Sequence, residues 1–230
     1  MAEAVAGPPE ERPTATARES LVRDLADRAR RGDQDAFLAL YRATSLRLLN
    51  YLRAMVGEND ADDVASETWA RIVTDLPAFR AERGTFLGWA TAIARHRAID
   101  HLRRRTLSTP QPHHLLPDRR APDDTPADAA ERMSTAEALR LIGGLPPDQA
   151  QAVLLRVVIG LDARTAGRIL RKRPGAVRTA AHRGLRALAL QLDRGLADTP
   201  ASGAPDVLDV LDAISAPVAI DALATSPGVR

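Results

Sequence analysis

The 230-residue sequence has no cysteine, which excludes disulfides and thiolate-held metal and suits a reducing compartment. Lysine is nearly absent, with Lys172 alone among the arginines. Aromatic residues are scarce: all seven fall between Phe37 and Trp89, and the second half has none. No stretch approaches the roughly 18 apolar residues of a membrane span, and the start "MAEAVAGPPEERPTATARES" lacks a basic segment followed by an apolar run. A cytoplasmic protein without membrane insertion is expected. Catalytic signatures are also missing: there is no HExxH, P-loop or Gly-rich dinucleotide turn. His96 and His101 are too far apart to share a helix face, and His113 and His114 sit in a Pro-rich stretch. The expected function is therefore non-enzymatic, with no cofactor, metal or small-molecule substrate.

What is present is arginine, unevenly placed. Net charge is only +2, yet the pI is about 9.6. Residues 80 to 105 hold seven arginines against Glu82 and Asp100, and residues 164 to 194 hold nine cations against Asp193. Two separate basic blocks point to a polyanionic partner. Between them, "TLSTPQPHHLLPDRRAPDDTPADAAERM" is rich in Pro and Asp and reads as a flexible linker. After Gly195 comes a tail with five aspartates, in which "DVLDVLDAI" has the spacing of a short amphipathic acidic helix. Two readings of that tail stay open: a helix docked on the second basic block, or a solubilising extension.

Elsewhere the apolar spacing is helical. Ser20 is expected to cap a first helix carrying Leu21, Leu25 and Ala29, and Asp33 a second with Phe37, Tyr41, Leu48 and Leu52, stopped by Gly57. A third starts at Asp60 with Val64, Thr68, Ile72 and Leu76, and a fourth at Thr85 with Phe86, Ala90, Ala94, Ala98 and Leu102. In the second half, Thr135 to Ile142 reads as a helix. "AVLLRVVI" is strand-like by composition, but Pro146, Pro147 and Asp148 are helix starts, Gly160 is a stop, and the spacing is helical. "LDARTAGRIL", the short "RKR" and "PGAVRTAAHRGLRALALQL" then form a helix-turn-helix pattern. Val177, Ala181, Leu185, Leu188 and Leu192 make the inner stripe of its second helix, leaving Arg178, Thr179, His182, Arg183 and Arg186 outside. The expected fold is all-α: two small helical domains, residues 20–105 and 129–194, joined by a linker over 106–128, with an unstructured start over 1–19 and an acidic tail over 195–230.

"DADDVASETWARIVTDLPAFRAERGTFLGWATAIARHRAIDHLRRR" resembles domain two of extracytoplasmic-function sigma factors of bacterial RNA polymerase, and "LPPDQAQAVLLRVVIGLDARTAGRILRKRPGAVRTAAHRGLRALA" is similar to their domain four. The resemblance covers roughly residues 20 to 192. It implies a first domain that engages the polymerase clamp and the minus-ten element and a second that engages the minus-thirty-five element, with core RNA polymerase and promoter DNA as partners and room for an anti-sigma factor. Asp62, Asp63 and Glu67 match the family's clamp-binding acidic positions, and Ser66 stands where glutamine is usual. Arg178, Thr179, His182, Arg183 and Arg186 match or flank the positions that read duplex DNA. Arg171 occupies a turn position commonly held by glycine.

The cations also have simpler readings. Arg95, Arg97, Arg103, Arg104 and Arg105 could be the solvated end of a helix favoured by its dipole, but five within eleven residues exceed that need. Together with Phe86 they are expected to hold unstacked DNA, since opened DNA needs apolar platforms for bases and cations for phosphates. Trp89 and Trp69 are read as core. The alternative function is a conventional helix-turn-helix regulator with a sensor or dimerisation domain at its N-terminus.

Overall fold

A computed structural model of the protein describes residues 15–107 and 126–197, and every regular element among the described residues is helical. The expectations for the extreme N-terminus, for residues 108–125 and for the tail beyond 197 lie outside the described residues.

The N-terminal domain is a bundle of α1 (Ala15–Arg30), α2 (Gln34–Val56), α3 (Glu58–Asp75) and α4 (Phe86–Leu107). Its connections follow from local chemistry. Asp33 Oδ1 accepts from Ala36 N at 2.9 Å, while its other carboxylate oxygen takes Arg28 Nε at 2.9 Å, so one residue caps α2 and holds the end of α1. Gly57 alone joins α2 to α3, at φ 91, a conformation that favours glycine. Thr85 Oγ1 accepts from Gly88 N at 3.1 Å, as expected of the residue that starts α4. Two starts differ from the sequence reading: α1 begins at Ala15 rather than at a Ser20 cap, and α3 begins directly after Gly57 rather than at Asp60.

Leu40, Leu48, Leu52, Val64, Ile72 and Phe86 fill this core, and Ala90, Ala94 and Ala98 let α4 approach its neighbours closely. The buried hydroxyls of Thr44, Thr68 and Thr91 donate to the carbonyls of Leu40, Val64 and Leu87 at 2.7, 2.7 and 2.6 Å, so none is left unpaired. Two single 3₁₀ turns, Leu76–Ala78 and Ala81–Arg83, carry the chain from α3 to α4.

The C-terminal domain consists of α5 (Pro126–Gly143), α6 (Pro147–Val153), α7 (Ala163–Leu170) and α8 (Pro174–Ala197), so α5 starts within the segment read as linker. The ambiguous "AVLLRVVI" is helical, but it is not plain α-helix: it ends in a π turn over Leu154–Val158, with Ile159 N bonded to Leu154 O at 2.9 Å. Its apolarity, Arg156 excepted, has a structural cause. Leu154, Leu155, Val158 and Ile159 are all buried, because the turn packs against its own domain on one side and against α2 of the N-terminal domain on the other.

Two glycines set how tightly α6, α7 and α8 meet. A Cβ at Gly184 would lie 2.7 Å from Val153 Cγ2, and one at Gly167 would lie 2.6 Å from the backbone oxygen of Lys172. The contact at Gly184 is with a side-chain methyl, whereas the Lys172 carbonyl is backbone in the helix-turn-helix corner. Gly167→Ala should therefore lose about 1–3 kcal/mol to overpacking and regain about 1 kcal/mol of helix propensity. A lower urea midpoint is expected for Gly167→Ala and a smaller drop for Gly184→Ala; the reverse order would contradict this packing.

Candidate nucleic-acid interface

Three surfaces carry the polar chemistry. The first is the outer face of α8. Asp162 caps α7 by accepting from Arg164 N at 2.8 Å and Thr165 N at 3.0 Å. Burial pushes its carboxyl pKa up, but the hydrogen bonds from Thr165 and Arg164 outweigh this and leave it below the ordinary value. Arg171 then turns the chain in the left-handed conformation, φ 55 and ψ 41, at the position where glycine is commonly expected. Lys172 Nζ pairs with Asp148, tying the corner to α6. With the corner held, Val177, Ala181 and Leu188 face inward, and Arg178, Thr179, His182, Arg183 and Arg186 are all exposed. Thr179 Oγ1 donates to Gly175 O at 3.1 Å. The five residues expected to read duplex do share one open face.

The second surface runs along α4. Arg103 is exposed, and Arg95, Arg97 and Arg103 line a groove of about 870 Å³ with His96, Arg71 and Arg171. Arg95 is half-buried, and its Nε has no hydrogen-bond partner. Its charge opposes the burial that raises the Tyr51 hydroxyl pKa above the tyrosine range. Arg104 Nη2 lies 3.3 Å from Glu67 Oε2, and Arg105 pairs with Asp60, which also lies 3.1 Å from His101 Nε2. Burial raises the Asp60 pKa, but the His101 hydrogen bond and the Arg105 charge bring it below normal. The sequence did not show these pairs, because they join positions separated by 37 and 45 residues. Being exposed, such pairs are worth only about 0.2–1 kcal/mol each, and phosphates can compete for the same arginines.

At the start of α4 the aromatic residues are arranged differently from expectation. Phe86 is 2 % exposed and packs edge-on to Phe79, with centroids 5.8 Å apart. It is a core residue in this structure, with no free face for a base. Trp89, read as core, is instead half-buried, 5.2 Å from Phe79 and 5.7 Å from Phe86, and it lines a pocket of about 330 Å³ with Phe79, Arg80 and Arg83. Arg80 Nη1 donates to Pro77 O and Phe79 O, both at 2.9 Å, and so shapes the loop. Phe86 and Trp89 are three residues apart and sit on neighbouring parts of the same helix face. Which of them is covered depends on the loop that folds over α4. Arg80 and Arg83 were missed as site residues; "AFRAERGTF", with cations between aromatics, was the available signal.

The third surface is acidic. Asp62, Asp63, Ser66 and Glu67 are all exposed on α3, and Ser66 Oγ donates to Asp62 O at 2.9 Å. Trp69 is partly buried against Phe37 and Tyr41, with centroids 6.3 and 4.6 Å away. Through Glu67 and Arg104 the acidic surface abuts the basic end of α4.

Among known proteins, the sequence matches the Sigma-70 region 2 family over residues 40–107 and the Sigma-70, region 4 family over residues 127–188. It is 31 % identical over 183 residues to the ECF RNA polymerase sigma factor BldN of Streptomyces coelicolor, covering 77 % of this chain and 68 % of that protein. It is 33 % identical over 163 residues to the sigma factor SigD of Mycobacterium tuberculosis, covering 68 % and 77 %. With ShbA of Streptomyces griseus, another ECF sigma factor, it shares 34 % over 187 residues, covering 75 % and 97 %. The solved structure of CnrH in complex with the cytosolic domain of CnrY superposes with a TM-score of 0.56 at 23 % identity, covering 76 % of this chain and 98 % of that one, a likeness of fold.

Proposed function

The chain belongs to the extracytoplasmic-function sigma factors of bacterial RNA polymerase, and from that membership we propose how its three surfaces divide the work. As a sigma factor it binds core RNA polymerase and promoter DNA in transcription initiation. Residues 20–105 act as domain two and residues 129–194 as domain four. The α8 face bearing Arg178, Thr179, His182, Arg183 and Arg186 reads the upstream element as closed duplex, through phosphate contacts and guanine edges in the major groove. The α4 surface, with Arg95, Arg97, Arg103, Arg104 and Arg105 beside the Trp89 pocket, holds the opened strand, its cations on phosphates and its ring under a base. The acidic α3 face of Asp62, Asp63, Ser66 and Glu67 engages the polymerase clamp. The protein takes no catalytic step itself and works in the cytoplasm, with an anti-sigma factor as the regulatory partner the family implies. No helix among the described residues is long and apolar enough to cross a membrane.

One observation carries the division. Exposed cations without aromatics are grouped on α8, whereas the cations that accompany the half-buried Trp89 ring belong mainly to the other domain. Reconstitution with core polymerase tests the reading. The chain should support promoter-dependent run-off transcription with no other initiation subunit, and Asp62→Ala with Asp63→Ala should weaken polymerase binding without altering upstream-duplex binding. If transcription required a second initiation subunit while this chain only modulated it, the conventional-regulator reading would replace this one.

A further inference from the structure

The corner between α7 and α8 holds a residue that its own backbone disfavours. Arg171, at φ 55 and ψ 41, is the one residue other than glycine with a positive φ among the described residues. In that region a Cβ crowds the following carbonyl oxygen, so an arginine is strained where a glycine is not. The fold gives no reason for the side chain. The bonds that close the corner, Arg171 N to Arg168 O at 3.4 Å and Lys172 N to Gly167 O at 2.9 Å, are main-chain bonds that glycine at 171 would make equally well. The guanidinium is exposed and, among the described residues, makes no ion pair or side-chain hydrogen bond. Its neighbours in the groove are mostly cations of its own sign: Arg71, Arg95, Arg97 and Arg103. Of the two carboxylates that line the same groove, Asp75 is bonded to Arg71 at 2.6 Å and Asp100 is exposed.

A strained backbone, an unpartnered charge and neighbours of like sign all work against stability, and strain of this kind marks a functional position. We propose that Arg171 holds a backbone phosphate of the upstream duplex and so sets how α8 seats in the major groove. It is a positioning residue that acts from the turn, outside the α8 reading face, and the inference rests on the reading of α8 as the duplex-binding helix. A phosphate contact carries no sequence information directly, but it fixes the register in which the base-reading side chains arrive.

Its place in the chain favours duplex over the strand held on α4. Arg171 lies three residues before Pro174, the first residue of α8. A recognition helix enters the major groove by its N-terminal end while the helix before it crosses the backbone, so phosphates pass beside the link between the two. The corner also holds Arg171 firmly against α8. Lys172 Nζ pairs with Asp148 on α6, and Gly167 and the Lys172 carbonyl approach so closely that a Cβ at 167 would lie 2.6 Å from that oxygen. The geometry between Arg171 and Arg178 is thus set inside one domain, whereas the groove it shares with Arg95, Arg97 and Arg103 takes residues from both.

Substitutions at 171 in the full chain separate charge from strain. Arg171→Gly is expected to have a urea midpoint equal to or above that of the parent, since relief of the left-handed backbone offsets the freedom glycine adds to the unfolded chain. It is expected to bind a labelled upstream-element duplex several-fold more weakly, with a log–log salt slope shallower by about 0.9. The same factor should be lost on a mixed-sequence duplex, because a phosphate contact is indifferent to sequence. Arg171→Lys keeps both charge and strain and should keep the parental slope and midpoint. Arg171→Asn, which accepts the left-handed backbone without a charge, should match the glycine variant in slope. A parental duplex slope in Arg171→Gly overturns the proposal. So does a slope change seen only with a single-stranded minus-ten oligonucleotide, which would place Arg171 with α4, and so does a marked fall in the midpoint, which would give the side chain a task in the fold. Arg178→Ala is measured alongside. If it weakens duplex binding and Arg171→Gly does not, the Arg171 inference alone falls; if neither does, the reading of α8 falls with it.

Discussion

Replacing Arg178 and Arg183 together by alanine should reduce affinity for upstream-element duplex about 30-fold or more, while leaving the thermal transition of the protein unchanged. Each arginine can supply about 1–3 kcal/mol as a bidentate contact to guanine, so the pair contributes at least about 2 kcal/mol, which is the quoted factor. Folding should be untouched because both side chains are exposed and turned away from Val177, Ala181 and Leu188, which anchor α8. Gel shifts over a salt series separate two possible roles for each arginine. Removing a cation that sits on a duplex phosphate lowers the log–log salt slope by about 0.9, whereas removing a side chain that reads a base edge weakens binding with the slope preserved and relaxes sequence preference at one position. Permanganate reactivity of a preformed complex should stay near the parental level. A pair of mutants that bound duplex normally but failed to melt it would reverse the proposed assignment of the two domains.

The complementary result is expected on α4. Trp89→Ala should slow open-complex formation by about 5- to 150-fold, the range that corresponds to about 1–3 kcal/mol for one stacked base, with upstream-duplex binding intact. Some folding stability is lost too, since the ring packs 5.2 Å from Phe79 and 5.7 Å from Phe86, and such pairs add about 0.5–1.5 kcal/mol each. Trp89→Phe is the control: it keeps a platform and should restore most of the melting. Phe86→Leu, by contrast, should lower stability with a small effect on melting once the protein is folded, because Phe86 lies beneath the pocket. Neutralising Arg103, Arg104 and Arg105 together should reduce the salt slope of single-strand binding by about 2, at about 0.7 per phosphate. Stability should change little, as the Arg104–Glu67 and Arg105–Asp60 pairs are solvent-exposed on the arginine side. Unchanged permanganate reactivity in Trp89→Ala would remove the ring from the strand site.

The local elements were legible because they depend on local interactions. Asp33 and Thr85 cap helices where short polar side chains precede apolar periodic runs, and the inward stripe of α8 follows its 3.6-residue period. That periodicity also put Arg178, Thr179, His182, Arg183 and Arg186 on one face before any packing was known. The π turn was not legible. The hydrogen bond from Ile159 to Leu154 changes the helix pitch by one residue over a run that is apolar except at Arg156, and one polar position among so many apolar ones leaves the period unmarked.

By itself, then, the sequence determined an all-helical chain with two basic blocks, the acidic face of α3, the helix-turn-helix and the family, because all of these are read from spacing along one helix or from residue order. Only the tertiary structure decided which aromatic faces solvent, which arginines are paired, and that the domains meet. Phe86 is buried and Trp89 only half-buried, although Phe79, which follows the Leu76–Ala78 turn, packs against both rings. Arg104 finds Glu67, and Arg168 finds the Arg83 carbonyl, across 37 and 85 residues of chain. Contacts at such separations depend on how whole helices pack, and no local pattern encodes them.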